Sequence, residues 1–342
     1  MLLFMDGFDH YGTAGDVVSL GKWGQIIGSL GLSIETVQTR VRTGLGSAKN
    51  YYGNDETVTK PLPASGGFVV GVAIYMTAQP QAYDWIRIKE GSVTHVSVAM
   101  TAGALVQVKC GATVLATGTT VLPLNAWTYV EFKGVIHDTA GSFEIRVDGV
   151  TEISGNNVDT RNGGTTGQWD RVSLSVPATA WNCYFDDFYV CDQSGSIRND
   201  FLGPIRIETL MAQAGNGTNV GLTPSFGTDH GALVDEVPPN ANDYNGSAVV
   251  GAKDTYNLPS VQLTGGILGV QVNLHAAKSD VGLRKICAVV RTGALDYDGG
   301  DKTLLTTYTY ASEVWAQKPG GPPTDWTATD VNALEAGMKV TV

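Results

Sequence analysis

The sequence has no run of lysine or arginine, no long apolar stretch and only four cysteines, and charged residues make up just 16% of its 342 positions. Each shortage excludes something. Phosphate backbones are held by clustered basic faces, so a net charge of −11 with scattered Lys and Arg speaks against nucleic acid as a partner. No segment approaches the ~20 consecutive apolar residues of a membrane-spanning helix, and no membrane partner is expected. The opening MLLFMDGFDHYG has no basic flank and a short apolar run, so no signal peptide is expected and general secretion is not the expected route. Cys110, Cys183, Cys191 and Cys287 show neither CxxC spacing nor neighbouring His pairs, which argues against zinc. They are also too sparse for a disulfide framework, so buried free thiols are expected. His10, His95, His137, His230 and His275 are scattered without triad or metal spacing. No Gly-x-Ser-x-Gly elbow and no phosphate-cradling glycine loop appears.

What is abundant is glycine, at 43 residues, with Thr and Val throughout, a mix that favours strands joined by tight turns. Short apolar or alternating runs such as GFVVGVAIYM (67–76), DWIRIKEG (84–91), AWTYVEFKGVIH (126–137), SFEIRVDGV (142–150) and RVSLSV (171–176) are each bounded by turn residues, as sandwich strands should be. In SFEIRVDGV, Phe143, Ile145 and Val147 alternate with Glu144, Arg146 and Asp148, and Asp148-Gly149 forms the turn. That pattern predicts a hairpin strand with one wet face. A change of texture near Ser194-Gly195-Ser196 divides the chain into an expected first domain, 1–197, and a second β-rich, sandwich-like domain, 198–342. TDWTATDVNALEAG (324–337) is the best helix candidate, with Thr329 or Asp330 as cap and Gly337 as stop. A single helical turn before a last strand fits equally well.

The densest stretch is WNCYFDDFYVCD (181–192). In an extended strand, neighbours point to opposite faces, so Asp186 and Asp187 are not expected to form a close carboxylate dyad. Cys183 and Cys191 share a face but stand too far apart along a straight strand to bridge.

Three segments together resemble the concanavalin A-like/laminin-G-like jelly roll. LPLNAWTYVEFKGVIHDTAGSFEIRVDGVTEISG (122–155) is similar to its Trp-led strand pair ending in a Val-Asp-Gly turn. WNCYFDDFYVCDQSG (181–195) is similar to its last strand, and MLLFMDGFDHYGTAGD (1–16) to its first. The whole arrangement, continued by DFLGPIRIETL, resembles a group of tailed-bacteriophage virion proteins in which such a domain precedes a second β-rich one. The resemblance implies an all-β protein with an N-terminal jelly-roll sandwich, assembled into a virion in the host cytoplasm. Its implied partners are other virion proteins, further copies of the chain and host-surface carbohydrate, and its second domain would attach or oligomerise. No cofactor is required. The resemblance also brings a structural calcium into view, with Asp6, Asp9 and Asp187 as its carboxylates. The plainer reading of these aspartates is hydrogen bonding to backbone.

A laminarinase-like Glu-x-Asp-x-x-Glu run is missing. Glu144, Asp148 and Glu152 do not reproduce its spacing, and no second carboxyl ~5 Å away is nominated, so no catalytic residues and no enzyme activity are expected. Tyr51, Tyr52, Asn54 and Asp55, with Trp169 in another glycine-rich segment, resemble aromatic-plus-amide sugar-stacking loops, against a plainer reading as local packing. The expected function is a non-enzymatic virion surface protein for adhesion or decoration. The alternative is a lectin-like protein or glycan-active enzyme on the same fold.

Overall fold

The computed structural model describes residues 1–12, 21–24, 26–27, 33–49, 56–176, 183–215 and 217–342. Its elements are almost all antiparallel strands. Two compact units are present. The first holds residues 1–9 and 23–207, and the second holds 10–12, 21–22 and 208–342. The change of unit thus falls ten residues beyond the expected 197, because residues 199–207 are hydrogen-bonded to strands of the first unit.

In the first unit the strands are β1 (Leu2–Asp6), β2 (Ile26–Ile27), β3 (Ser33–Glu35), β4 (Ser47–Lys49), β5 (Glu56–Ser65), β6 (Gly67–Met76), β7 (Tyr83–Glu90), β8 (Val93–Met100), β9 (Leu105–Cys110), β10 (Thr113–Val121), β11 (Trp127–Val135), β12 (Gly141–Val147), β13 (Val150–Val158), β14 (Trp169–Val176) and β15 (Cys183–Asp192). They form a jelly-roll sandwich of two sheets. The first has the order β13-β12-β11-β6-β15-β4-β3, with β1 also paired to β15, and the second β10-β9-β8-β7-β14-β5-β2. Alternation explains the core. Val130 and Phe132 of β11 and Phe143 and Ile145 of β12 turn inward, while Glu144 and Arg146 stay half-buried on the other face. From the second sheet come Ile86, Ile88, Val96, Val98, Val172 and Leu174. Phe185 of β15 meets Trp85 of β7 edge-on, ring centres 6.4 Å apart, joining the two layers. Asp148 and Gly149 both have positive φ, 49° and 81°, closing the predicted β12–β13 hairpin with Val147 opposite Val150.

The last strand departs from simple alternation. Asp186 pairs with Ala73 of β6, but the next pair is Tyr189 with Gly71, so one residue is extra. Asp187 carries the bulge, with φ +51°, a left-handed conformation that short polar side chains tolerate best after glycine. Phe188 and Val190 then face the core beside Phe4 and Trp23, and Tyr189 lies on the outer face. The Tyr189 ring crosses directly over Gly71, where any side chain would overlap it.

In the second unit a sheet is built from β16 (Thr218–Val220), β19 (Lys253–Asn257), β21 (Lys285–Thr292), β22 (Leu295–Asp298), β23 (Lys302–Thr303) and β25 (Leu334–Val340), accompanied by the short pairs β17 (Thr223–Pro224) with β18 (Asn245–Gly246) and β20 (Val270–Ala276) with β24 (Thr309–Trp315). Its core gathers Val272, Ala288, Val290, Trp326, Val331 and Leu334. The helix α1 is one short turn, Ala328–Asn332. Thr327 caps it, and Asp330 closes a reciprocal capping box; the expected caps were Thr329 or Asp330. Gly337 lies inside β25, where it pairs with Thr255 and Val289.

Replacing Gly71 by Ala is expected to force Tyr189 off its seat and to lower stability by about 1–3 kcal/mol, as overpacking does. A urea midpoint equal to wild type would show that the ring does not rest on Gly71.

Candidate functional site

The outer face of the first sheet carries the chemistry. Along β11, Tyr129, Glu131 and Lys133 point outward; β12 adds Glu144 and Arg146, and β15 adds Tyr184, Asp186, Asp187 and Tyr189. The bulge is what places both aspartates there, which corrects the expectation that alternation would separate them.

Their surroundings are fully protein. Asp186 accepts the N–H groups of Arg42 (2.8 Å), Thr43 (3.1 Å) and Asp187 (2.8 Å). Asp187 accepts the Arg42 guanidinium, the Thr43 hydroxyl (3.0 Å) and the Ile207 N–H (2.7 Å), while its carbonyl takes the Tyr129 hydroxyl (2.8 Å). Both aspartates are wholly buried. Burial and the adjacent Asp187 push the Asp186 carboxyl up, to about 9, against the pull of the Arg42 and Thr43 N–H groups. Burial likewise raises Asp187, and the Arg42 charge offsets part of the rise. Together the pair retains a proton where free aspartates have lost theirs.

Asp6, Asp9 and Asp187 do not converge as a calcium site. Asp6 shares the inner face with Phe188 and accepts the Phe8 N–H (3.0 Å) and the Trp23 indole N–H (2.7 Å). Asp187 lies on the opposite, outer face. Asp9 accepts the N–H groups of Leu45 (2.6 Å) and Gly46 (2.9 Å). The loop 42–46 is thus held between Asp9 of the opening segment and the last strand, where backbone donors reach Asp186 and the Arg42 guanidinium reaches Asp187. Among the described residues no group of three or more His, Cys, Asp or Glu is arranged to hold a metal.

Tyr51, Tyr52, Asn54 and Asp55 lie outside the described residues. Trp169 begins β14 and is completely buried, its indole N–H donating to the Gly67 carbonyl at 2.8 Å. It is a core residue, and no sugar can stack on it.

Sequence reasoning missed a polar cleft of about 400 Å³ on the same outer face. Lys133, Ser142, Glu144, Ser154 and Asn156 come from β11, β12 and β13, and Gln193, Asn199 and Asp200 from the segment after β15. Lys133 sits 2.9 Å from Asp200 and 3.9 Å from Glu144, which also receives Arg146 Nε (2.8 Å) and the Thr151 hydroxyl (2.8 Å). Burial works to raise Glu144, but these hydrogen bonds and charges win and hold its carboxyl below the usual range. Asp200 is held low in the same way, by Lys133 and the Phe201 N–H. The cleft therefore offers two ionised carboxylates, one ammonium, three amides and two hydroxyls, with donors and acceptors interleaved. The alternation of SFEIRVDGV marked Glu144 as wet. Nothing in the sequence tied it to Gln193 or Asn199.

No protein-family model matches the chain, and no curated protein matches its sequence. Among solved structures the chain is similar to an endo-β-1,4-glucuronan lyase from the fungus Trichoderma reesei, at 16% identity and a TM-score of 0.41, over 55% of this chain and 94% of that one. It is similar to domain 4 of AbnA, a GH43 extracellular arabinanase from Geobacillus stearothermophilus in complex with arabinotriose, at 14% identity and a TM-score of 0.36, over 55% and 91%. It is also similar to the carbohydrate recognition domain of Emp46p, at 6% identity and a TM-score of 0.36, over 55% and 99%. At these scores no residue role, substrate or reaction is carried over. The expectation that the chain is not an enzyme is nonetheless withdrawn, because glycan-active enzymes, the glucuronan lyase among them, stand among the structures similar to it.

Two outcomes are expected for the buried pair. Arg42→Met leaves the Asp187 carboxylate buried without its cation, which costs about 3–5 kcal/mol and is read from denaturant unfolding. A carbon-13 titration of Asp186 should give a midpoint well above 6. Because the folded pKa lies above the unfolded value of ~4, this proton stabilises fully below ~4 and its contribution is lost as pH rises through the folded value. A midpoint near 4 would mean that the three N–H donors outweigh burial.

Proposed function

We propose that the first unit binds carbohydrate in the cleft between Lys133 and Asn156. The observation that carries this reading is the lining itself. A sugar hydroxyl both donates and accepts, and a wall of amides, hydroxyls, carboxylates and one ammonium answers each hydroxyl either way. The volume falls in the range of small-ligand sites. An apolar ligand would leave these groups unpaired, and a phosphorylated one would meet Glu144 and Asp200. A tailed-phage particle, with other virion proteins and copies of this chain as partners, is the setting supported by the sequence resemblance alone.

The test is a glycan array probed with the full chain, followed by calorimetry on any hit and a reducing-end assay for turnover. Saturable binding is expected, weakened roughly ten- to hundredfold in Lys133→Met and in Asn156→Ala, the size of one lost hydrogen bond involving a charged or buried polar group. Asn156→Ala, at an exposed position, should keep the wild-type melting temperature. A blank array, or a hit that both variants bind as wild type does, would overturn the assignment.

A further inference from the structure

The cleft stops where residues 200–207 cross the sheet. Beneath that segment lie Tyr129, Glu131, Asp187 and Tyr189, all at most 1% exposed, with Arg42 at their edge. A permanent cover would be expected to seal apolar side chains, since burying ionisable groups is unfavourable beside burying hydrocarbon of similar volume. Here the floor is polar and the segment meets it largely through main-chain atoms. The Leu202 N–H donates to the Tyr189 hydroxyl (3.1 Å), the Gly203 N–H to Glu131 Oε1 (2.9 Å) and the Ile207 N–H to Asp187 Oδ1 (2.7 Å), while the Ile205 carbonyl accepts Arg42 (2.6 Å). Each is a contact that a sugar hydroxyl could make in its place. Glu131 Oε1 also accepts the Tyr189 hydroxyl (2.5 Å), yet Oε2, buried, has no hydrogen-bond partner. A buried acceptor left unmade is costly in a permanent core and useful in a binding site.

The anchor at the start of the segment is of a weaker kind, while near its end Arg206 Nη1 also donates to the Arg42 carbonyl (2.7 Å). Phe201 lies under two cations, Lys133 Nζ at 4.6 Å and Arg146 Cζ at 4.0 Å from the ring centre, and Asp200, whose side chain is 66% exposed, pairs with Lys133. Such contacts contribute about 0.5–1 kcal/mol each at exposed sites and weaken with salt. The covered floor is continuous with the cleft, because Tyr129, Glu131 and Lys133 follow one another on the same face of β11. From Lys133 to Tyr129 is four residues of strand, roughly 13 Å, enough to lengthen the groove by more than one sugar ring.

We propose that residues 200–207 are a displaceable strap lying over the second half of a longer glycan groove, whose floor is Tyr129, Glu131, Asp187, Tyr189 and Arg42. This rests on the carbohydrate reading of the cleft, and it makes the ligand an oligosaccharide chain. With the strap seated, short sugars fill the cleft alone. With the strap released, the floor donors and acceptors exchange main-chain partners for hydroxyls.

The experiment uses the full chain and cello- and manno-oligosaccharides of three and six units. Phe201→Ala should raise hydrogen exchange at the Leu202, Gly203 and Ile207 amides at least tenfold. It should also improve hexaose binding at least fivefold relative to triose. Arg146→Met, which removes the nearer cation, should do the same to a smaller degree and serves if Phe201→Ala does not fold. Adding Glu131→Gln to the released variant should cancel the hexaose gain. Unchanged exchange, or faster exchange with an unchanged hexaose-to-triose ratio, would overturn the strap. Triose binding by wild type reports on the cleft separately. If wild type binds neither sugar but the released variant binds hexaose, the cleft assignment fails and the strap stands.

Discussion

The ion pair between Arg42 and Asp187 is the contact on which the outer face of the first sheet depends. Asp187 takes a left-handed backbone that a short polar side chain tolerates, and Arg42 holds its carboxylate there with the Thr43 hydroxyl beside it. The bulge then sets three things at once. It turns Phe188 and Val190 into the core, it lays Tyr189 over Gly71, and it brings Asp186 under the N–H groups of Arg42 and Thr43. From Tyr189 the order passes to Glu131, and from Asp187 to Ile207. A single extra residue in one strand thus organises the loop before β4, the centre of the sheet and the segment leaving β15.

The division of the outer face follows from that order. Its middle is buried and occupied by protein donors; its flank, on β11 to β13, is a solvent-accessible polar cleft. The two regions have the same composition of carboxylates, cations and hydroxyl groups, and they differ chiefly in whether residues 200–207 lie over them. Charge is kept local throughout, with Lys133, Arg146 and Arg42 each facing a carboxylate within a few ångströms. Three cations of an acidic chain of net charge −11 thus lie on the face where recognition is proposed, each beside a carboxylate.

The sandwich was legible because period-two alternation is a strong local signal wherever one face is buried. GFVVGVAIYM is β6 residue for residue, and SFEIRVDGV placed Phe143, Ile145 and Val147 inward and its turn at Asp148-Gly149. The same rule failed at Asp186-Asp187, since a bulge is decided by tertiary partners, and Arg42 lies more than a hundred residues away in a loop without regular pattern. Trp169 misled for a related reason: its glycine-rich neighbours suggested a loop tip, whereas it opens β14 with its indole on Gly67. The calcium expectation put three acidic residues together by proximity in the fold. A strand has two faces, and Asp6 and Asp187 occupy different ones. The cleft was out of reach altogether, because its walls come from strands and a following segment up to 67 residues apart.

The bulge in β15 also means that this strand carries one residue more than its pairing with β6 uses. Removing residue 187 would restore straight pairing with β6 and leave Phe188 to Asp192 opposite the same β6 residues, on the faces they already occupy. Phe188 and Val190 would stay in the core, Tyr189 would stay over Gly71 and β1 would keep its register with this half of the strand, while Arg42, Thr43 and Ile207 would lose the carboxylate they share. Position 187 therefore lies outside the pairing constraint that its neighbours obey, and its residue answers instead to Arg42, Thr43 and Ile207.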